Sequence, residues 1–201
     1  MNWKFAYAIG FHPWEDTDAA FAAKLSELLN REERGREMPF GPALDLGTGS
    51  GIWGIQLAKR GWQVTGIDIV DKALQRARDR VQKAGVEMRL VHADVTALSA
   101  AGIGSGFRLV LDTGTFHALN SAQRAAMCRE VSAVAASDAT VLLLVWPERR
   151  RPLIRGVNRD GVEAAFPGWK VTDVEPSHFR LPKMLELLMK PDEHWYRLRR
   201  E

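Results

Sequence analysis

The sequence predicts an α/β fold built on a doubly wound, mostly parallel β-sheet. Three observations predict it. Short apolar runs of strand length alternate with longer segments of helical periodicity. A glycine-rich turn follows the first apolar run, and carboxylates stand at the ends of later runs. Because neighbouring parallel strands need crossover connections, this alternation indicates strands joined by helices that cover both faces of the sheet.

The elements are assigned in chain order from these patterns. Apolar positions at helical spacing predict a first helix over 17–33. Strands are predicted at 43–46, 63–67, 88–92, 108–112, 139–145, 170–176 and 193–199. Further helices are predicted at 52–60, 71–84, 94–101, 121–136 and 157–166. No internal repeat or low-complexity segment interrupts the series, so residues 1–201 are predicted to form a single domain.

Composition narrows the class of protein. The 201 residues are 46% hydrophobic and 26% charged, with a formal net charge of +3, which is typical of a globular domain. The single cysteine, Cys128, excludes an internal disulfide and is expected to pack in a helix. No signal peptide or membrane-spanning run is visible, so we expect a cytoplasmic protein that does not enter membranes. Nucleic-acid binding is not expected, since the Arg149–Arg151 run is better explained as a solvated surface.

The glycine-rich turn is the most informative segment. It has glycines at three alternate positions, Gly47, Gly49 and Gly51, preceded by Asp45 within the strand. Glycines let the backbone turn sharply and approach a ligand closely. The helix that follows offers unpaired N–H groups to a polar ligand. Asp45 can orient these amides or accept a hydrogen bond from a ligand ammonium group.

The next strand ends at Asp68, which is predicted to lie at the same sheet edge. A carboxylate there can accept both hydrogen bonds of a ribose diol, so the pair of motifs predicts an adenosine-containing cofactor. Gly49, Gly51 and Gly54 also fit a dinucleotide fingerprint, which keeps a nicotinamide cofactor open. Asp45 argues against it, because a carboxylate at that position would repel a pyrophosphate.

The pattern Asp45-x-Gly47-x-Gly49-x-Gly51 resembles the class I S-adenosylmethionine-dependent methyltransferases. This resemblance implies a Rossmann-like seven-stranded sheet, mostly parallel, with an antiparallel C-terminal edge pair, and S-adenosyl-L-methionine as cofactor. Thr48 stands where the family often has cysteine. We expect Thr48 to contribute mainly its backbone to the cofactor site.

The same resemblance assigns further cofactor-binding residues. Asp94 is implied to accept from the adenine amino group, with the Val95 amide on a ring nitrogen and Ile69 on the adenine face. An alternative role for Asp94 is to cap a following helix. Asp112, at the end of the fourth predicted strand, is implied to lie near the methionine part of the cofactor.

The N-terminal sequence carries a finer resemblance. The pattern Tyr7-x-x-Gly10-x-x-Pro13-Trp14-Glu15 is similar to the opening of small bacterial methyltransferases related to tellurite-resistance and thiopurine methyltransferases. In those relatives the opening segment covers the cofactor, and Trp14 would face the sulfonium, although simple packing explains Trp14 equally well. The resemblance divides the chain into a cover (1–35), a cofactor-binding core (40–146) and C-terminal strands with substrate-side loops (147–201).

His117 is the candidate catalytic base. Its position by motif is near the transferred methyl group, and an ordinary histidine pKa of about 6.5 suits a base at neutral pH. The alternative is a histidine that packs or bonds the backbone at a helix start. No metal-ligand spacing is visible.

The acceptor is predicted to be a small aromatic or heterocyclic molecule. The stretch 112–116 lacks the Asn/Asp-Pro-Pro-aromatic motif of enzymes that methylate nucleobase amines. Candidate apolar pocket walls are Trp3, Trp14, Phe116 and 184–188. Two other functions stay open, a nicotinamide-dependent oxidoreductase and an RNA methyltransferase or binding module. The oligomeric state is expected to be a monomer or a homodimer.

Overall fold

The computed structural model of the chain describes residues 7, 10, 15, 19–147, 156–178 and 192–201. In this part of the chain the helices are α1 (Ala19–Glu33), α2 (Ile52–Arg60), α3 (Asp71–Ala84), α4 (Ser121–Val134) and α5 (Arg159–Ala165). The strands are β1 (Gly41–Leu46), β2 (Trp62–Asp68), β3 (Arg89–His92), β4 (Phe107–Asp112), β5 (Ala135–Val145), β6 (Trp169–Pro176) and β7 (His194–Arg200).

The strands form one seven-stranded sheet in the order β3-β2-β1-β4-β5-β7-β6. Neighbouring strands from β3 to β5 are parallel. Strand β7 lies antiparallel between β5 and β6. The predicted Rossmann-like sheet with its antiparallel C-terminal edge pair is therefore confirmed. The carboxyl ends of β1 to β5 lie at a common edge, which is where open α/β sheets bind ligands.

Alternate residues of the central strands pack on opposite faces of the sheet, as strand geometry requires. On one face, Ala43 of β1 and Leu111 of β4 pack with Leu25 of α1 and Leu57 of α2. On the other face, a separate core contains residues of β1, β4, α4 and α5: Leu44, Leu46, Val110, Met127, Val131 and Val162. The central strands are consequently buried on both sides, and polar residues on them need a specific explanation.

Two helix predictions need correction. The helix expected at 94–101 is wrong: this segment contains turns and one short 3₁₀ turn at Ser99–Ala101. The Asp94 carboxylate accepts 2.8 Å hydrogen bonds from both the amide and the hydroxyl of Thr96. Local bonding of this kind competes with helix formation. The helix expected at 121–136 ends at Val134, because β5 already begins at Ala135.

Some predictions fall on residues outside the described part of the chain. These are the roles of Trp3, Trp14, the Arg149–Arg151 run and the apolar stretch 184–188. Across the described ranges, none of the helices is both long and apolar enough to cross a lipid bilayer.

Candidate active site

The glycine turn has the backbone conformation that its sequence predicts. Gly47, Gly49 and Gly51 have φ values of +64°, +56° and +80°, a region that other residues rarely adopt. A Cβ atom on Gly47 would lie 2.0 Å from the Thr115 hydroxyl oxygen, and one on Gly49 would lie 2.7 Å from the Tyr7 hydroxyl oxygen. Both conformation and space therefore require glycine at these two positions.

Asp45 is the most unusual group at this edge. It is 1% exposed, and its Oδ2 accepts a 2.5 Å hydrogen bond from the Thr48 hydroxyl. Its Oδ1 is buried without a hydrogen-bond partner among the described residues. Burial raises the pKa of Asp45 to about 7, and the charges of Asp112 and Asp68 act in the same direction. A buried carboxylate in this state is ready to accept from a cationic or hydrogen-donating ligand.

The Thr48 hydroxyl has a role that the sequence analysis did not assign. We expected Thr48 to act through its backbone, and its amide does donate to the Ile67 carbonyl at 2.8 Å. Its hydroxyl, however, also holds Asp45. The expectation was too narrow, because the side chain also helps to orient the Asp45 carboxylate.

Two further glycines make room for Asp45 and Thr48. A Cβ on Gly54 of α2 would lie 2.9 Å from Asp45 Oδ2, and one on Gly66 of β2 would lie 2.8 Å from the Thr48 hydroxyl oxygen. The sequence itself indicates the role of Gly66, because a glycine inside a strand often marks the close approach of another group to the backbone.

Asp68 joins the two loops of the site. It is the last residue of β2 and is 8% exposed. Its Oδ2 accepts from the Gly49 amide at 2.9 Å and its Oδ1 from the Val70 amide at 2.8 Å. Burial raises the pKa of Asp68, while these amides favour the charged form. Each oxygen retains acceptor capacity, so a sugar diol can still bind to this carboxylate.

The predicted adenine contacts lie at the same edge. Ile69 follows Asp68, and 44% of its surface is exposed, which is high for an apolar side chain. The His92 Nε2 lies 3.0 Å from the Ile69 carbonyl oxygen and so holds this residue in place. After β3, Asp94 is exposed and Val95 is buried. The ends of β2 and β3 therefore place an open apolar surface near a carboxylate.

The Asp112 carboxylate accepts hydrogen bonds from the loop that follows β4. It is fully buried, its Oδ1 accepts from the amides of Gly114 and Thr115, and its Oδ2 accepts from the amide of Phe116. Burial raises the pKa of Asp112 to about 6. The carboxylate thereby shapes the loop that follows β4. The suggested pocket role of Phe116 is wrong, because that ring is fully buried in the core.

His117 lies on this same loop and is 6% exposed. Its Nδ1 is 3.3 Å from the Leu144 carbonyl oxygen. A carbonyl can only accept, so Nδ1 carries the hydrogen and Nε2 is the basic nitrogen. Burial lowers the pKa of His117 to about 4, which corrects the expectation of an ordinary value near 6.5. The ring is thus neutral at pH 7.

No metal centre is apparent in the described ranges, where no three His, Cys, Asp or Glu side chains cluster in a way that could hold an ion. Cys128 is buried, and its burial raises the pKa of the thiol. A buried protonated thiol is a packing group, as the sequence analysis expected.

The fold and the residues at this sheet edge are together typical of one class of protein. A sheet of this topology, with a glycine turn after β1, a carboxylate within β1 and another at the end of β2, is typical of the class I methyltransferase architecture. A family model described as "Methyltransferase domain" matches residues 43–138, the segment that contains the glycine turn and both carboxylates. By this match and by its relatives, the chain is similar to S-adenosylmethionine-dependent methyltransferases. The finer resemblance to the tellurite-resistance and thiopurine type stays a prediction.

Curated relatives match part of the chain. Human EEF1A lysine methyltransferase 2 is 38% identical over 79 residues, which are 38% of this chain and 33% of that protein. A ubiquinone biosynthesis O-methyltransferase of Nitrosospira multiformis is 34% identical over 93 residues, or 44% of this chain and 38% of that protein. The chain thus spans about a third of the length of the curated relatives it matches. Both of these relatives are methyltransferases, not oxidoreductases.

A solved structure extends the likeness of fold across the chain. The 1,6-didemethyltoxoflavin-N1-methyltransferase of Burkholderia thailandensis, crystallised with its substrate and S-adenosylhomocysteine, superimposes with a TM-score of 0.73. The alignment covers 99% of this chain and 85% of that protein at 20% sequence identity. At this identity the likeness shows the fold.

The chemistry of the side chains at this site fits S-adenosylmethionine, independently of the comparisons. The unpartnered Asp45 oxygen suits the ammonium group of the cofactor. Asp68 suits a ribose diol, and the exposed Ile69 suits an adenine face. The glycine turn lets the backbone approach neighbouring groups more closely than a side chain would allow. The chemistry of these residues matches three different parts of one molecule.

Proposed function

We propose that this chain transfers a methyl group from S-adenosylmethionine to a small acceptor, an aromatic or heterocyclic molecule with an oxygen, nitrogen or sulfur nucleophile. The observation that carries the proposal is the buried, unpartnered Asp45 oxygen beside the glycine turn. A carboxylate of this kind is costly unless a ligand satisfies it. The methyltransferase match over 43–138 supports S-adenosylmethionine as that ligand.

Each part of the cofactor has an assigned partner in this proposal. Asp45 and the turn from Gly47 to Gly51, including Thr48, hold the amino-acid end. Asp68 holds the ribose, while Ile69, Asp94 and Val95 hold the adenine. The Asp112 loop lies beside the methionine part, where its bonded carboxylate keeps the backbone in place. Trp14 remains a proposed cover for the sulfonium.

The bound cofactor would supply an activated methyl group on a positively charged sulfur. The work of the protein is therefore to hold the acceptor in line with that group and to exclude water. Such positioning contributes roughly 7–11 kcal/mol in favourable cases. The rigid loop from Asp112 to His117, bonded at three amides, is suited to a positioning role.

His117 is proposed to receive a hydrogen bond from an oxygen acceptor through Nε2. Its tautomer is fixed by the Leu144 carbonyl, and its low pKa keeps that nitrogen unprotonated at neutral pH. A weakly basic nitrogen orients a hydroxyl and accepts its proton late, as the methyl group is transferred. Positioned bases typically contribute about 10²–10⁴-fold to the rate.

A small acceptor is supported by two comparisons. The Burkholderia protein of the same fold was crystallised with the small heterocycle 1,6-didemethyltoxoflavin, and the Nitrosospira relative is named for ubiquinone biosynthesis. We further propose a cytoplasmic monomer or homodimer that binds neither nucleic acid nor membranes, in line with the modest net charge of +3.

Calorimetric titration with S-adenosylhomocysteine is the direct test of the cofactor. We expect micromolar binding by the wild type, and weakening by roughly 1–3 kcal/mol in Asp68→Ala, which loses a charged hydrogen-bond partner. NADH is the control ligand. Binding of NADH with no response to S-adenosylhomocysteine would show that the oxidoreductase alternative is right.

A panel of phenols, thiols, hydroxyquinolines and tellurite with radiolabelled cofactor tests the acceptor. RNA and a lysine-containing protein mixture complete the panel, since one relative is a lysine methyltransferase. Incorporation into a small molecule supports the proposal. Incorporation only into RNA or protein contradicts the small-acceptor part and leaves the cofactor part intact.

His117→Ala separates binding from turnover. We expect turnover on an oxygen acceptor to fall by at least tenfold with cofactor affinity unchanged. His117→Gln, which can still accept a hydrogen bond, should retain more activity. Equal turnover in all three proteins would remove His117 from the reaction.

A further inference from the structure

Two described residues of the N-terminal segment are attached to the cofactor loops. Tyr7 is 4% exposed and packs in a small apolar cluster with Val70 and Ala73, at the start of α3. Its hydroxyl lies at the glycine turn, where a Cβ on Gly49 would be only 2.7 Å away. Tyr7 thus touches both loops of the proposed cofactor site.

Glu15 connects Tyr7 to a pair of arginines. Its Oε1 accepts a 3.2 Å hydrogen bond from the Tyr7 hydroxyl. Its Oε2 accepts from Arg76 at 3.2 Å and from Arg80 at 3.0 Å, both on α3. The Glu15 side chain is only 7% exposed, so these ion pairs are poorly screened by solvent.

Arg80 extends the network to the glycine turn itself. Its second guanidinium nitrogen donates a 2.6 Å hydrogen bond to the Ser50 hydroxyl. Ser50 is 2% exposed and lies between Gly49 and Gly51. The five residues Tyr7, Ser50, Arg76, Arg80 and Glu15 are called the Glu15 network below. It forms a closed connection from the turn, through α3, to Tyr7 and back to the turn.

We infer that Glu15 is a positioning residue for the cofactor's amino-acid end, because it holds the Tyr7 hydroxyl over the glycine turn. This inference rests on the proposed function. In the proposed function the turn and Asp45 hold the ammonium and carboxylate groups, and the Tyr7 hydroxyl lies beside that turn. Loss of Glu15 removes a hydrogen bond from the Tyr7 hydroxyl and its link to Arg76 and Arg80, so the amino-acid end is held less firmly. The adenosyl part, held by Asp68 and Ile69, is unaffected.

The test compares two ligands that differ only in the amino-acid part. S-adenosylhomocysteine carries it, whereas 5′-methylthioadenosine has the same adenosyl group without it. For Glu15→Ala we expect about a tenfold higher Kd for S-adenosylhomocysteine, and less than a twofold change for methylthioadenosine. Glu15→Gln, which keeps an acceptor oxygen, should fall between the wild type and the alanine variant.

Two further variants sharpen the assignment. Tyr7→Phe removes only the hydroxyl, and we expect it to show the same ligand selectivity. Glu27→Ala is the matched control, because Glu27 bonds to Lys24 and Arg31 of α1, away from the site. This control should bind both ligands as the wild type does.

The outcomes are separable. If both Kd values rise together in Glu15→Ala, Glu15 merely supports the fold and the inference is wrong. If neither Kd changes, the inference is also wrong. If the wild type binds neither ligand, the proposed function itself fails. Thermal unfolding of each variant, measured without ligand, shows whether a loss of folding explains any change.

Discussion

Two buried acids, Glu32 and Asp45, have opposite electrostatic surroundings. Glu32, at the end of α1, is 4% exposed and receives Arg197 at 2.6 Å, Arg199 at 3.7 Å and the Thr140 hydroxyl at 2.6 Å. Asp45, at the ligand edge, is 1% exposed and receives one hydroxyl. No arginine or lysine of the described chain forms an ion pair with it within 4.0 Å.

The difference separates an acid whose charge is compensated within the fold from an acid that we propose binds a ligand. Compensation by two arginines allows Glu32 to cross-link α1 to β7. Asp45 has neighbours of its own sign instead, and the charges of Asp112 and Asp68 further raise its pKa. The protein therefore carries a destabilised charge where a cationic ligand would bind, as active sites commonly do.

Removing the Glu32 carboxylate, which two arginines compensate, should have the largest effect on stability. Glu32→Ala leaves Arg197 with only the longer 3.4 Å contact to Asp173 as a described carboxylate partner. Removing one member of a buried pair typically costs about 3–5 kcal/mol. We expect a loss of about 3 kcal/mol in the free energy of unfolding, measured by urea denaturation. The affinity for S-adenosylhomocysteine should be unchanged in the folded variant. A loss below 1 kcal/mol would contradict the structural role of Glu32.

Replacing Asp45 by an uncharged residue should have the opposite effects: stability should be kept and ligand affinity lost. Asp45→Asn removes a buried charge but keeps an oxygen that can accept from Thr48. At pH 8 we expect the free energy of unfolding to stay equal or rise, while S-adenosylhomocysteine binding weakens by about 2 kcal/mol, roughly thirtyfold. Urea denaturation and calorimetry measure the two quantities. A destabilised variant with normal affinity would show that Asp45 supports the fold instead.

The same carboxylates predict a pH dependence. The folded-state pKa values of Asp45 and Asp112, about 7 and about 6, lie above the ordinary value of 3.8. Such groups bind protons more tightly in the folded state, so their contribution to stability is complete below pH 3.8 and is lost as pH rises through 6 to 7. Wild-type protein should therefore lose stability between pH 5.5 and pH 8.

Asp45→Asn provides the control for that titration. The variant should lose less stability than the wild type between pH 5.5 and pH 8, because Asp45 no longer titrates, while Asp112 and Asp68 still do. Over the same interval the affinity of the wild type for S-adenosylhomocysteine should rise, since ionised Asp45 attracts the ammonium group. An affinity that falls with pH in this window would contradict the assignment of Asp45.

The smallest expected effect concerns the single hydroxyl on Asp45. Thr48→Val removes that donor with little change of volume, so the charged form of Asp45 loses support and its pKa rises further. We expect binding of S-adenosylhomocysteine at pH 7 to weaken by about 1 kcal/mol, roughly fivefold. Thr48→Ser keeps the hydroxyl and should bind nearly as the wild type does. Equal weakening in both variants would point to packing.

Much of the fold could be predicted because its signals are local. The apolar runs gave strands within a few residues of their observed bounds, apart from β5, which begins at Ala135 instead of 139. The glycine turn could be placed because its backbone conformation excludes other residues. The segment after Asp94 could not, since its apolar spacing fits a helix while side-chain bonds to Thr96 favour a turn.

The site was less predictable where its chemistry depends on distant residues. That Asp45 is acidic and lies near the end of a strand is visible in the sequence. That no arginine or lysine of the described residues pairs with it depends on how β1 packs between β2 and β4. The pKa of His117 depends on its burial against β5. The link from Glu15 to Ser50 through Arg80 joins residues 30 to 65 positions apart, which no local pattern reveals.

The end of the Met88 side chain fills the space beside both Gly54 and Gly66. Its terminal methyl group lies 2.3 Å from the place where a Cβ would stand on either glycine, one on a helix and one on a strand. An alanine at either position would thus collide with the same flexible side chain. A shorter residue at 88 would still not admit an alanine at 54 or 66. The new Cβ atom would lie 2.9 Å from Asp45 Oδ2 in the first case and 2.8 Å from the Thr48 hydroxyl oxygen in the second.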